Sequence, residues 1–133
     1  MVFFGFAGSV FSKLIGGFTN DLKTLILLMA TDFITGIIVA GIFKKSLKSP
    51  SGALQSKASF KGISRKCITI TFVMIAHRID ILLGVDFVRS AVIFAYIANE
   101  LISITENAGL MGVPVPDVIK KAIDVLKSKS DSE

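Results

Sequence analysis

The chain has 133 residues, of which 52% are hydrophobic and only 19% are charged. A typical soluble domain has about 25% charged residues, so a chain this small and apolar has too little polar surface for an ordinary soluble globule. The composition also excludes intrinsic disorder, because disordered chains are poor in apolar residues. A single cysteine and a single histidine disfavour a disulfide, a multi-cysteine zinc site and Ser-His-Asp catalysis. We therefore predict no cofactor and no enzyme.

The first twenty residues, 1–20, are rich in phenylalanine and glycine and predict an amphipathic helix. The apolar side chains that recur at helical spacing are Phe4, Ala7, Phe11, Leu14 and Phe18. Three placements stay open: a helix on the outer membrane surface, a helix packed on the bundle, and a fourth span, which Lys13 disfavours. We expect no secretory signal, because no basic segment precedes the apolar run.

The stretch 22–43 predicts the first transmembrane helix, since its 22 residues include only two charged ones. About 20 apolar residues are needed to cross roughly 30 Å of hydrocarbon. Asp32 lies near the middle, where a lone charge costs about 2.5–3.5 kcal/mol, so it needs a partner, a proton or water. Thr35, Gly36 and Ala40 accompany it on a face suited to close helix packing. A static packing seam and a functional site both fit this pattern.

The segment 44–66 contains seven basic residues and no acidic one. These residues are Lys44, Lys45, Lys48, Lys57, Lys61, Arg65 and Lys66. Short basic loops stay on the cytoplasmic side of a membrane, so we predict a cytoplasmic loop that determines the topology. We reject nucleic-acid binding, because stacking aromatics are nearly absent and apolar spans enclose the loop. An odd number of spans then places the amino terminus outside and the carboxyl terminus inside.

Two further apolar stretches, 67–83 and 85–104, predict a helical hairpin that turns at Gly84. The part 67–73 alternates β-branched residues, which in water would indicate a strand. In lipid an open strand leaves backbone groups unpaired, so a transmembrane helix is the prediction. A buried three-helix core of a soluble protein is the alternative. Ion pairing stays open among four residues near the turn, namely Arg78, Asp80, Asp86 and Arg89.

One face of the third span is polar and predicts a helix seam or a water-facing surface in an oligomer. Its members are Arg89, Tyr96, Asn99, Glu100 and Ser103, with Glu106 at the same spacing and Asn107 at its flank. Asp32 with Glu100 is the candidate pair for an ion site. After a cluster of helix-breaking residues, 114–133 predicts a short amphipathic helix and a charged tail.

Three motifs support a family assignment. They are Asp32-Phe33-Ile34-Thr35-Gly36, a Ser/Lys-rich loop that ends at 60–66, and the run 96–107 followed by 112–116. Together they resemble the toxin-secretion/phage-lysis holin family of Gram-positive bacteria and their phages, over roughly Leu25 to Leu126. The Phe-rich amino terminus is not part of the resemblance.

The resemblance implies one all-α integral membrane domain over 1–133, with about three transmembrane helices, that oligomerises in the bacterial cytoplasmic membrane and opens lesions. It implies as partners the bilayer, further copies of the chain, an endolysin or toxin as cargo, and an inhibitory antiholin. From the residues alone, a small ion channel, a transporter subunit and a structural membrane adaptor also fit.

Overall fold

The computed structural model describes residues 2–132, apart from the side chains of Ser130 and Ser132, and is all helical with no strand over that range. Its helices are α1 (Val2–Ile15), α2 (Asn20–Ile38), α3 (Ser56–Leu83), α4 (Val88–Leu110) and α5 (Asp117–Ser132). A π-helical turn, Val39–Phe43, continues α2 and ends at Lys44, whose φ of 53° is left-handed. The all-α prediction is confirmed, and the β-branched run 67–73 lies within α3.

The central helix is α4, which packs against α2, α3 and α5. Its Ile93 and Ile97 share one buried apolar cluster with Leu25 and Met29 of α2 and Val73 of α3. The buried positions on α2 and α3 recur at spacings of three or four, so each of these two helices gives the core a single stripe. Many of the remaining apolar side chains are exposed.

Two stretches of the described chain are long and apolar enough to cross a membrane. They are Asn20–Phe43, with a mean hydropathy of 2.3, and Val88–Leu110, with 1.3. Only 28% and 22% of the residues in their most apolar windows are buried inside the protein. A core helix of a soluble protein would be mostly buried, so these exposed apolar surfaces fit contact with lipid. The helix α3 does not pass the same test, because charged residues interrupt and flank its apolar part.

The start of α3 differs from the sequence prediction. The helix begins at Ser56, eleven residues before the predicted span 67–83, so 44–66 is a short loop followed by three helical turns. The polar segment before residue 67 has no apolar periodicity and contains Gly62. A helix there could therefore not be predicted from the sequence pattern. Within this segment, Lys66 contacts Asp32 of α2 and Glu100 of α4, and such contact between distant segments favours the helix.

The loop that remains, 44–55, is folded on itself. The Ser46 amide donates to the Gly52 carbonyl at 3.0 Å, and the Ser49 hydroxyl donates to the Ala53 carbonyl at 2.7 Å. Gly52 has a φ of +76° and lies against the Lys44 carbonyl, where a side chain would not fit. The loop therefore holds its residues in fixed places beside the helices.

The two terminal helices attach differently. Ile15 at the end of α1 is fully buried, whereas Phe3, Phe4 and Phe6 are at least 70% exposed, so α1 meets the bundle at one end only. By contrast, α5 packs along α4, with Ile123 buried. The Lys129 ammonium lies 4.4 Å from the centroid of the Phe94 ring near the start of α4, so α5 runs antiparallel to α4 along most of its length.

Candidate functional site

Three charged side chains from three helices meet inside the bundle: Asp32 of α2, Lys66 of α3 and Glu100 of α4. The Lys66 Nζ lies 2.8 Å from Asp32 Oδ2, and 3.2 and 3.0 Å from the two Glu100 carboxylate oxygens. The side chains are 18%, 7% and 13% exposed for Lys66, Asp32 and Glu100. We call this cluster the buried triad. Removing Lys66 would leave two buried carboxylates uncompensated, which is costly.

Neutral side chains complete the hydrogen bonding around Asp32. The Ser103 hydroxyl donates to Asp32 Oδ1 at 2.6 Å, and the Asn107 amide donates to the same oxygen at 3.2 Å. Asn107 also donates to Thr35 Oγ1 at 2.8 Å, and the Thr35 hydroxyl donates to the Asp32 carbonyl at 3.1 Å. Within residues 2–132, no fully buried side-chain nitrogen or oxygen lacks a partner. A satisfied polar network of this kind specifies one arrangement of the helices.

The buried triad lies halfway along both apolar stretches. Asp32 is the thirteenth of the 24 residues of Asn20–Phe43, and Glu100 is the thirteenth of the 23 residues of α4. At 1.5 Å per residue, each lies about 18 Å from the start of its helix. A membrane crossed by both helices would have the triad near its midplane, where an unpaired charge costs most.

A groove of about 590 Å³ opens beside the triad, between α2, the loop and the first turns of α3. Gly36 and Ala40 form part of its α2 wall, and their small side chains leave the space open. Lys61 and Arg65 of α3 and Asn99 of α4 line other parts of it. The groove connects the triad to the side of the bundle on which the basic loop lies.

The opposite end of the bundle has a second polar cluster, which anchors α1. The Arg89 guanidinium donates to the Ile15 carbonyl at 2.7 Å, to the Gly17 carbonyl at 2.7 Å and to the Thr19 hydroxyl at 3.0 Å. The two carbonyls lie at the C-terminal end of α1, so the cation faces the negative end of that helix dipole. This contact fixes the turn between α1 and α2.

The four charged residues near the turn between α3 and α4, for which ion pairing was left open, lie at the same end of the bundle. The Asp80 carboxylate accepts hydrogen bonds from the backbone amides of Val88 at 2.9 Å and Arg89 at 3.0 Å. It therefore caps the first turn of α4, where a helix favours an anion. Among the described residues, Arg78 forms no ion pair with Asp80, and Asp86 forms none with Arg89.

The site residues predicted from the sequence lie in four different parts of the structure. Those that meet at the triad network are Asp32, Thr35, Glu100 and Ser103. Gly36 and Asn99 line the groove, Tyr96 packs against the apolar core, and Arg89 binds the end of α1. The polar face of α4 thus meets different neighbours along its length.

Sequence reasoning missed the role of Lys66. It counted Lys66 among the seven basic residues of the loop, whereas the structure places it on α3 as the shared partner of two carboxylates. The available signal was its position directly before an apolar stretch, together with the need of Asp32 for a cation. Of the other basic residues, Lys48, Lys61 and Arg65 line the groove. No group of three His, Cys, Asp or Glu side chains in the described part could hold a metal ion.

Comparison with known proteins identifies relatives along nearly the whole chain. The model of the bacteriophage holin family matches residues 9–128. An uncharacterised protein of Listeria innocua is 42% identical over 127 residues, which is 95% of this chain and 85% of the relative. A probable holin of Bacillus phage phi105 is 34% identical over 118 residues, 88% of this chain and 82% of the relative. No solved structure matches the chain. On this similarity, the chain belongs to the bacteriophage holin family.

Proposed function

We propose that the protein acts as a holin that assembles in the bacterial cytoplasmic membrane and opens lesions through which an endolysin or toxin leaves the cell. The observation that carries the proposal is the buried triad, a paired charge cluster midway along two membrane-length helices. Such a cluster is stable in a bilayer only while its members stay paired or reach water. Family membership and the phage relative named a probable holin support the same activity.

Opening would exchange the contacts of the triad. In one protomer, Lys66 holds Asp32 and Glu100 within hydrogen-bond distance. If α2 separates from α3 and α4, the same charges can pair with neighbouring protomers or face a shared water-filled space. Interhelical hydrogen bonds in membranes contribute about 0.6–2 kcal/mol each, so closed and open assemblies need differ by only a few kcal/mol. The antiholin and the cargo remain partners that the family implies.

The orientation of the chain in the membrane follows if α3 is a third transmembrane span and the basic loop lies in the cytoplasm. With 28 residues, α3 is about 42 Å long, which exceeds the thickness of the hydrocarbon core. Four of its exposed apolar residues are spaced by four, three and four, as a lipid-facing stripe requires, and they are Ile68, Phe72, Ile75 and Ile79. Three spans place the amino terminus outside and the carboxyl terminus inside.

Labelling with a membrane-impermeant thiol reagent tests this orientation. In a Cys67→Ser background, Asp86→Cys should be labelled on intact cells, and Ser51→Cys should be labelled only after the cells are permeabilised. Both positions are exposed, so burial does not bias the comparison. Labelling of Ser51→Cys on intact cells would contradict the topology.

Insertion of α4 into the bilayer affects the position of α5, which packs along α4. This helix has seven charged residues, and each charge at the bilayer centre would cost about 2.5–3.5 kcal/mol. We therefore propose that α5 leaves α4 when α4 spans the membrane and lies on the cytoplasmic surface, where its lysines favour anionic lipid. A disulfide between Phe94→Cys and Lys129→Cys should then be absent in membranes in a Cys67→Ser background. Efficient formation of that disulfide in membranes would show that α5 stays on α4.

Coexpression with a cytoplasmic endolysin tests the function itself. Cultures that produce both proteins should lyse, whereas the endolysin alone should stay inside intact cells. Asp32→Leu should change the time of lysis, and Asp32→Asn should do so less, because asparagine keeps hydrogen bonding. Identical timing for wild type and both variants would leave Asp32 without a functional role.

A small ion channel is the second candidate, because the groove reaches Asp32 and Glu100. A channel would dissipate ion gradients and keep the folded endolysin inside. A structural adaptor would do neither. Escape of the folded enzyme therefore separates the holin from both alternatives.

A further inference from the structure

The groove is lined by more cations than the buried triad uses. Lys48 comes from the loop, and Lys61 and Arg65 come from the first three turns of α3. All three are exposed, and none forms an ion pair with another described residue. Lys66, in contrast, is engaged by the two carboxylates of the triad. Three positive charges thus border this cavity in addition to the triad, whose two carboxylates line the same cavity and share Lys66.

The same groove has an apolar wall. Phe33 and Ile37 of α2 line it, and so do Leu47 and Leu54 of the loop. Leu47 is 82% exposed and Leu54 is 50% exposed, although the loop is held in place by its own hydrogen bonds. Because Phe33, Ile37 and the two leucines line one cavity, they form a contiguous apolar surface, which indicates an apolar contact outside the chain. A soluble anion would use the cations and leave this wall uncovered.

The volume and the position of the groove restrict the class of ligand further. The volume of about 590 Å³ lies within the range of small-molecule sites, roughly 300–1,000 Å³. The cavity extends from the buried triad to the loop that joins α2 and α3, and that loop lies at the cytoplasmic interface when both helices span the bilayer. Lys61 and Arg65 lie between the two, and their long side chains can reach toward the interface. Basic pockets between spanning helices at the cytoplasmic interface suit lipid headgroups.

We infer that this groove binds the phosphodiester headgroup of an anionic phospholipid, whose acyl chains cover the apolar wall. Arg65 has a planar guanidinium that can donate two parallel hydrogen bonds to one phosphate. Lys48 and Lys61 add two point charges. The bound lipid fills the space between α2 and the start of α3, next to the buried triad. The inference requires a chain embedded in a membrane and does not require lesion formation, so the two proposals fail separately.

Two double variants with equal charge test the site. Lys61→Ser with Arg65→Ser removes two cations that line the groove, and Lys45→Ser with Lys57→Ser removes two that do not. Full-length protein in neutral detergent is titrated with phosphatidylglycerol, and bound lipid is counted by native mass spectrometry. We expect the groove variant to bind about 25-fold more weakly, at about 5-fold per cation. The control variant should stay within about 2-fold of wild type, because neither of its lysines lines the groove.

Additional ligands and one further variant identify the source of the phosphate and control for misfolding. Phosphatidylcholine should bind more weakly than phosphatidylglycerol, and free sn-glycerol 3-phosphate should not compete at equal concentration. Arg65→Lys keeps the charge but loses the planar fork, so its affinity should lie between wild type and the groove variant, and this single change spares the fold. Equal losses in both double variants would overturn the site. Equal binding of the two lipids, or competition by glycerol phosphate, would also overturn it.

Discussion

Replacing Lys66 with methionine removes the cation that Asp32 and Glu100 share while keeping an unbranched side chain of similar length. Both carboxylates are almost fully buried, at 7% and 13% side-chain exposure, and lie 2.8 and 3.0 Å from Lys66 Nζ. Removing one partner of a buried ion pair costs about 3–5 kcal/mol, because the remaining charge is left uncompensated. Loss of the three hydrogen bonds that Lys66 donates, at about 0.6–2 kcal/mol each, falls in the same range. A variant in which the carboxylates are also neutral is therefore needed to separate the charge effect from the lost hydrogen bonds.

The assay measures the free energy of unfolding in mixed detergent micelles, with the loss of helix monitored by circular dichroism. Lys66→Met should lower it by about 3–5 kcal/mol, and Lys57→Met, an exposed lysine on the same helix, should change it by less than about 0.5 kcal/mol. Adding Asp32→Asn and Glu100→Gln to Lys66→Met should recover most of the loss, because a neutral network needs no cation. Equal stability of the two single lysine variants would refute the reasoning, and so would a triple variant no more stable than Lys66→Met.

Three further changes test the remaining contacts. Arg89→Met should release α1 and make the turn after it sensitive to protease, whereas Arg78→Met, an exposed arginine, should not. Gly16→Ala and Gly17→Ala both place a side chain at a φ of +88°, but only Gly16→Ala meets the His77 ring at 2.7 Å, so its loss of unfolding free energy should be the larger. Ser103→Ala removes a donor 2.6 Å from the triad network and should cost about 1–2 kcal/mol in the same unfolding assay.

The apolar helices could be predicted from the sequence, because a stretch with so few charges has one stable arrangement in lipid. The span predicted at 22–43 corresponds to α2 with its π-helical turn, and the one predicted at 85–104 corresponds to α4, shifted by a few residues. The need of Asp32 for a partner, a proton or water also followed from the cost of a charge at midspan. The identity of that partner did not.

Lys66 could not be identified because its position depends on where α3 begins. Read as loop, it lies at a membrane surface among six other basic residues. Read as the third turn of a helix that starts at Ser56, it faces α2 and α4. Local propensity does not separate these readings, and contact between distant segments decides between them. Arg89 was placed on the polar face by its seven-residue spacing from Tyr96, but that spacing is about 10 Å along a helix, so the two meet different neighbours.

Release of cargo from vesicles tests the central claim most directly. Purified full-length protein is reconstituted into vesicles loaded with a small fluorescent dye and a folded endolysin, and the escape of both is followed as the protein density is raised. We predict that, above a threshold density, the endolysin leaves together with the dye, because assembled protomers open lesions wider than a folded enzyme. Escape of the dye at every density with complete retention of the endolysin would contradict the holin account and favour a small channel.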